Sequence, residues 1–297
     1  MTPRLGGLVC PVTTPFDPSG DPSPERLASQ IEIYRRLGVR GVVVFGTSGE
    51  GPLLDPDEEP PLLSAARNAL GSDRALVVQV GHESLRATLA SARRAEAAGA
   101  DALLCLPPRY YPLGPPGIAR FYRAVASECG LPLLAYHIPQ LSHVDPGVEI
   151  LCELASEGTL AGIKESAGSL ELQQALRAAG GDGFAIFNGS ARLAYESLRA
   201  GADGEILAVS DAAPEAILGI LEAHEMGDDE AGLALQLALA PLAHCLGPRF
   251  GVPGIKAALD LRGWPGGGEP RPPLAALGSA DRDEIRAALL AAGVVLS

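Results

Sequence analysis

Residues 75–106 read ALVVQVGHESLRATLASARRAEAAGADALLCL, and this stretch decides the fold class. Ala75–Val80 is a short apolar run without strict alternation, as expected of a parallel strand covered on both faces. Leu85–Ala98 is rich in Ala, Leu, Glu and Arg and reads as a helix, with Gly99 behind it to supply C-cap chemistry. Ala102–Leu106 is then a second apolar run of the same kind.

Working outward, the same unit recurs. Further apolar runs at Gly7–Pro11, Gly41–Phe45, Leu131–Tyr136, Leu160–Ile163, Phe184–Phe187 and Glu205–Val209 bring the strands to eight. Helical stretches such as Pro24–Leu37, Gly117–Cys129, Leu170–Ala179 and Leu193–Ala200 separate them, and Leu37-Gly38 and Ala200-Gly201 repeat the glycine ending. Eight strand–helix units make an α/β (β/α)8 TIM barrel the economical architecture. A doubly wound open sheet competes, but no GxGxxG follows the first strand and no P-loop occurs. The barrel is expected over residues 1–224 and a C-terminal helical extension over 225–297. Helices are expected after strand eight at Pro214–Met226, Ala231–Cys245, Ile255–Arg262 and Asp281–Ala292, one closing the barrel and the rest forming the appended layer, and Gly266–Pro273 is loop.

Composition narrows the function. With 23 Lys plus Arg against 36 Asp plus Glu, the net charge is −13, which leaves no basic patch for a nucleic acid. A locally basic site for a small anion is still compatible with that acidity. The apolar runs are too short to predict a membrane span, and the start lacks a signal-peptide core, so a cytoplasmic protein is expected. Five scattered cysteines without a CxxC pair read as reduced, structural thiols.

In a TIM barrel, chemistry is carried at the C-terminal ends of the strands. Strand two ends in Gly46-Thr47-Ser48-Gly49-Glu50-Gly51, strand five in Tyr136-His137-Ile138-Pro139, strand six in Lys164-Glu165-Ser166 and strand seven in Asn188-Gly189-Ser190. Lys164, after Ala161-Gly162-Ile163, would point inward or into the mouth. Removing an ammonium group from water is costly, which favours the neutral, nucleophilic amine needed to form an imine with a ketone. The competing reading is a lysine ion-paired with Glu165 or another barrel carboxylate. Tyr136 is either an acid–base phenol or a packed ring with a bonded tip. Thr47 and Ser48 offer two hydroxyls and exposed N–H groups, a cradle for a carboxylate or simply a turn.

Taken together, Gly46-Thr47-Ser48-Gly49-Glu50, Tyr136-x-x-Pro139 and Gly162-Ile163-Lys164-Glu165-Ser166 resemble the dihydrodipicolinate synthase / N-acetylneuraminate lyase family in order and spacing. Gly201-Ala202-Asp203-Gly204-x-Ile206 and Arg271-Pro272-Pro273-Leu274 extend the resemblance over the whole chain. It implies a pyruvate-dependent class I aldolase or lyase. Lys164 would be the Schiff-base lysine, Tyr136 the phenol over the imine, Thr47 the relay hydroxyl, Ser48 the carboxylate ligand and Ile206 a backbone contact. A tyrosine lent by a neighbouring subunit is also implied, from Tyr110 or Tyr111, with Tyr111 preferred. A homo-oligomer, dimer or tetramer, follows; no cofactor and no metal is expected.

Departures from the family pattern bear on the substrate. Leu141 stands where the synthases carry a carboxylate-binding arginine, and leucine cannot replace a bidentate guanidinium. Ala191-Arg192 replaces the acidic pair of the sialic-acid lyases. A lyase for another 2-oxo acid, such as a 2-keto-3-deoxy acid, is therefore expected, with 4-hydroxy-tetrahydrodipicolinate synthase as the alternative. His82, His137 and Glu205 are candidate contacts to the substrate tail, the competing reading being that the two histidines are solvated or hydrogen-bonded rim residues; Ser190 is a further substrate-binding candidate. The same His82, His137 and Glu205 would serve a metal-dependent aldolase, although metal-type spacing is absent. A non-catalytic keto-acid binder would not need Thr47, Tyr136 and Lys164 together.

Overall fold

The apolar runs become β1 (Gly7–Cys10), β2 (Gly41–Val44), β3 (Ala75–Gln79), β4 (Ala102–Cys105), β5 (Leu133–His137), β6 (Gly162–Glu165), β7 (Ala185–Asn188) and β8 (Gly204–Glu205). Each strand pairs in parallel with the next and β8 returns to β1, closing the barrel. The structure, a computed structural model, describes residues 5–297. Around the strands run α1 (Pro24–Leu37), α2 (Glu59–Leu70), α3 (Leu85–Ala97), α4 (Gly114–Glu128), α5 (Val148–Ser156), α6 (Leu170–Gly180), α7 (Ala194–Arg199) and α8 (Pro214–Met226). Serine N-caps start α1, α3 and α6: Ser23, Ser84 and Ser169 each accept a backbone N–H three residues on.

Alternation sorts the strand side chains into two cores. Val9, Val43, Val77, Leu104, Leu134, Tyr136, Phe187 and Ile206 fill the barrel interior. Leu8, Val42, Val44, Leu76, Leu103, Ile163 and Ile186 pack outward under the helices. The same parity turns Lys164 inward and His137, Glu165, Asn188 and Glu205 outward. Lys164 is thus the one charged strand residue, among the described residues, directed into the barrel.

Strand bounds differ from the expected apolar runs by at most two residues, except at the end of β8. β6 carries Lys164 and Glu165 at its end, as expected, and its ladder to β5 continues through Tyr136↔Lys164 and His137↔Glu165. β8 keeps only Gly204–Glu205, and a 3-10 turn at Ala208–Asp211 follows where strand was expected to Val209. That segment is apolar because it is buried, and burial alone does not make a strand.

Residue 224 falls inside α8, which ends at Met226. The extension contains α9 (Asp229–His244), α10 (Gly251–Leu261) and α11 (Ser279–Ala291). The continuous helical stretch Asp229–Arg249 has the length and apolarity of a membrane-crossing helix. It packs on α8 and α11, with Leu239 and Leu242 buried, and Gln236 Oε1 accepts the Tyr195 N–H at 2.7 Å. Those contacts are those of a helix within the folded body.

Candidate active site

The β5–β6 register sets Tyr136 beside Lys164. Lys164 Nζ donates to Tyr136 OH at 3.2 Å and lies 4.3 Å from the ring centroid. Tyr136 OH is in turn 3.0 Å from Thr47 Oγ1. Lys164 and Tyr136 are buried, at 6% and 3% exposure, so their chemistry is shielded from bulk water. Amine, phenol and hydroxyl form one connected path across the mouth of the barrel.

The ion-pair reading for Lys164 fails on parity. Glu165 lies on the other face of β6, where its carboxylate accepts N–H bonds from Ala167 (2.7 Å), Gly168 (3.0 Å) and Ser169 (3.1 Å). It also meets His137 Nδ1 at 3.3 Å. Glu165 therefore fixes the turn into α6, and Lys164 has no carboxylate partner among the described residues.

Thr47 and Ser48 sit in a tight turn bracketed by Phe45 (φ 61°) and Glu50 (φ 54°), two non-glycine residues in the left-handed region. Such residues cost on the order of 1–3 kcal/mol and persist only where neighbours over-determine them. Glu50 N–H closes the turn on Thr47 O at 3.2 Å, and Thr14 Oγ1 donates to Gly49 O at 2.6 Å. A Cβ at Gly51 would collide with Phe45 O, so glycine is required there. Ser48 is buried against Asp211, whose carboxyl burial pushes well above the usual carboxylate range. Ser48, Lys164 and Tyr34 oppose that shift, and Tyr34 OH donates to Asp211 O at 2.8 Å.

Of the other candidates, Ile206 lies in the barrel interior, its N–H bonded to Asn188 O at 2.9 Å. Ser190 lies in the loop after β7, its N–H bonded to Asn188 Oδ1 at 2.9 Å. His137 and Glu205 lie on the opposite strand parity from Lys164. Alternation directs both into the strand–helix layer, away from Lys164. His137 Nε2 meets Asp145 at 3.4 Å, and Glu205 Oε2 accepts from Asn188 Nδ2 at 2.7 Å. Burial holds the Glu205 carboxyl well above the usual range, with the Asn188 bond opposing.

His82 is elsewhere again. Burial pushes its imidazole below the ordinary range, and Glu59 on α2 and Arg94 on α3 are the charges around it. These three residues do not converge, and no cluster of three His, Cys, Asp or Glu placed to hold a metal occurs among the described residues.

The rim carries Tyr110 and Tyr111, 78% and 70% exposed, in a groove shared with Glu83, Leu141 and His143. Neither touches Tyr136 within this chain. Arg109 is tied down: its side chain meets Glu83 at 3.3 Å, and the Arg109 and Tyr110 N–H groups donate to the same carboxylate at 2.9 Å. Arg192 makes no ion pair among the described residues. Its guanidinium lies 3.4 Å, and Ser190 Oγ 3.2 Å, from where a Cβ on Gly168 would stand.

Two buried groups near the site had escaped the motif reading, Asp211 and the ion pair of Glu50 with Lys256. Asp211 gave only the weak signal of a polar residue in an apolar run. Lys256 had a clear one. Of the 23 cationic side chains only two are lysine, Lys164 and Lys256.

A closed parallel barrel with a buried lysine and phenol joined to a threonine hydroxyl at its mouth defines a carbon–carbon lyase of the aldolase type. The chain belongs to the Dihydrodipicolinate synthetase family, whose profile matches residues 4–292. It is 35% identical over 292 residues to an uncharacterized DapA-like lyase of Halobacterium salinarum, covering 98% of this chain and 95% of that one. It is 35% identical over 274 residues to a 4-hydroxy-tetrahydrodipicolinate synthase of Synechococcus, covering 92% and 90%. The crystal structure of the Acinetobacter baumannii dihydrodipicolinate synthase complexed with pyruvate superposes with a TM-score of 0.92 at 26% identity, covering 98% of this chain and 100% of that one.

Proposed function

We propose that this enzyme forms an imine between Lys164 and pyruvate and uses it to make or break a bond to an aldehyde. The observation that carries this reading is the Lys164–Tyr136–Thr47 path in the barrel mouth. The lysine amine adds to the C2 carbonyl of pyruvate, and the carbonyl oxygen leaves as water with protons handled by Tyr136. Loss of a C3 proton gives the enamine, whose C3 attacks the aldehyde carbon while the aldehyde oxygen takes up a proton. Hydrolysis of the new imine returns Lys164. Cleavage of a 2-oxo acid runs the same steps backwards.

In this scheme Thr47 passes protons between Tyr136 and Tyr111 of a second copy, a reading supported by the exposure of Tyr110 and Tyr111 on the rim. Ser48 and the N–H groups of its turn take the pyruvate carboxylate, and Ile206 contributes backbone. We read the enzyme as a cytoplasmic homo-oligomer that needs no cofactor beyond its own lysine.

A 2-keto-3-deoxy acid or a similar 2-oxo acid is the substrate class preferred. Leu141 offers no charge at the rim, and Arg109 is committed to Glu83. The second reading, 4-hydroxy-tetrahydrodipicolinate synthase, is favoured by the relatives of that name and by the unpaired Arg192. A retro-aldol screen of 2-oxo acids that monitors pyruvate release tests the first. Release from one or more sugar-derived 2-oxo acids supports it; release from none, with efficient condensation of pyruvate and aspartate semialdehyde, overturns it.

A further inference from the structure

The second lysine of the chain is buried in the C-terminal extension and reaches the turn that carries Thr47 and Ser48. Lys256 Nζ lies 2.5 Å from Glu50 Oε1, with both side chains inaccessible to solvent. The other oxygen, Glu50 Oε2, accepts the backbone N–H of Arg271 at 2.7 Å. Lys256 also donates to Glu269 O at 3.1 Å and stands 4.2 Å from the centre of the Phe16 ring. Both oxygens of Glu50 are therefore held by the extension.

We infer that Lys256 is a positioning residue for the reaction: through Glu50 it sets the turn that presents Thr47 to Tyr136 and Ser48 to the keto-acid carboxylate. Two observations and one general consideration converge on this. Glu50 occupies the left-handed region without being glycine, and its N–H closes the turn on Thr47 O at 3.2 Å. The carboxylate that holds it there is anchored from outside the barrel, so the turn cannot relax with its own strand. A buried ion pair is also weak evidence for stability, since apolar residues of similar volume serve a core as well or better. Its use here is orientation.

Composition points the same way. Every other cationic side chain is arginine, and lysine is kept only at two buried positions. A compact ammonium group fits between Glu50, Glu269 and Phe16; a planar guanidinium has a different shape and donor geometry. Burial pulls the Lys256 amine below its usual range, and Glu50 opposes that pull.

The inference rests on the Schiff-base reading, and one titration separates the two. Borohydride is added to the full-length protein over a range of pyruvate concentrations, and the adduct on Lys164 is measured by mass spectrometry. Absence of a wild-type adduct would defeat the Schiff-base reading itself. Given that adduct, K256M/E50Q, which removes both charges and nearly preserves volume, is expected to raise the half-saturating pyruvate concentration by about 10-fold or more, the scale of one lost charge-assisted contact. Its thermal unfolding should stay near wild type. K256M/E50G, in which glycine adopts the turn without strain, covers the case where the first variant does not fold. A folded variant whose half-saturation lies within about two-fold of wild type would show the pair to be merely structural.

Discussion

Lys164 and Tyr136 lie opposite each other in the β5–β6 ladder, and the ammonium group both donates to the phenol at 3.2 Å and lies 4.3 Å from its ring centroid. The phenol also meets Thr47 at 3.0 Å, so Tyr136 is the hub of the path.

Replacing that hub should be costly to rate and cheap to fold. Tyr136→Phe is expected to lower turnover by about 10²–10⁴-fold, the usual contribution of a positioned acid–base group. Circular dichroism and melting should stay near wild type, since the ring remains in the barrel interior. Turnover close to wild type would reduce Tyr136 to packing.

Arg192 is the cation that decides between the two substrate readings. Because Leu141 is uncharged and Arg109 is bound to Glu83, pyruvate condensation with aspartate semialdehyde should be about 10–150-fold less efficient than the best 2-oxo acid reaction. A coupled assay measures it. Comparable efficiency would favour the synthase, and Arg192→Ala should then remove semialdehyde turnover while Arg109→Ala retains it.

Glu205 contributes to a pH dependence of stability whose sign can be worked out. Burial raises its carboxyl in the folded protein, while the unfolded chain ionises near about 4.3. The folded state thus holds a proton that the unfolded state has lost, and stability falls as pH rises from about 4.3 towards the folded value. Asp211 acts in the same direction. Glu205→Gln, which can still accept from Asn188, should raise the melting temperature relative to wild type at pH 8 and lose that advantage at pH 4. An advantage equal at both pH values would contradict the assignment.

Most of the barrel was legible because parallel strands buried on both faces leave uninterrupted apolar runs and glycine-capped helices between them. Lys164, Tyr136 and Thr47 were legible as strand-end polar groups at family spacing. The faces taken by His137 and Glu205 were not legible, because polarity at a strand end does not tell which face a side chain takes. That depends on parity relative to Lys164, which the register supplies. Glu50 and Lys256 are separated by more than two hundred residues, and no local pattern could join them. Only the rarity of lysine could have pointed to Lys256.

Trapping the imine on an identified residue tests the central claim most directly. The protein is incubated with pyruvate and sodium borohydride, digested and analysed by mass spectrometry. With lysine at only two positions, the outcome is unambiguous. The account predicts a reduced pyruvyl adduct on Lys164, absent without pyruvate and absent in Lys164→Ala. An adduct on Lys256 or the N-terminus alone, or none at all in active protein, would contradict it.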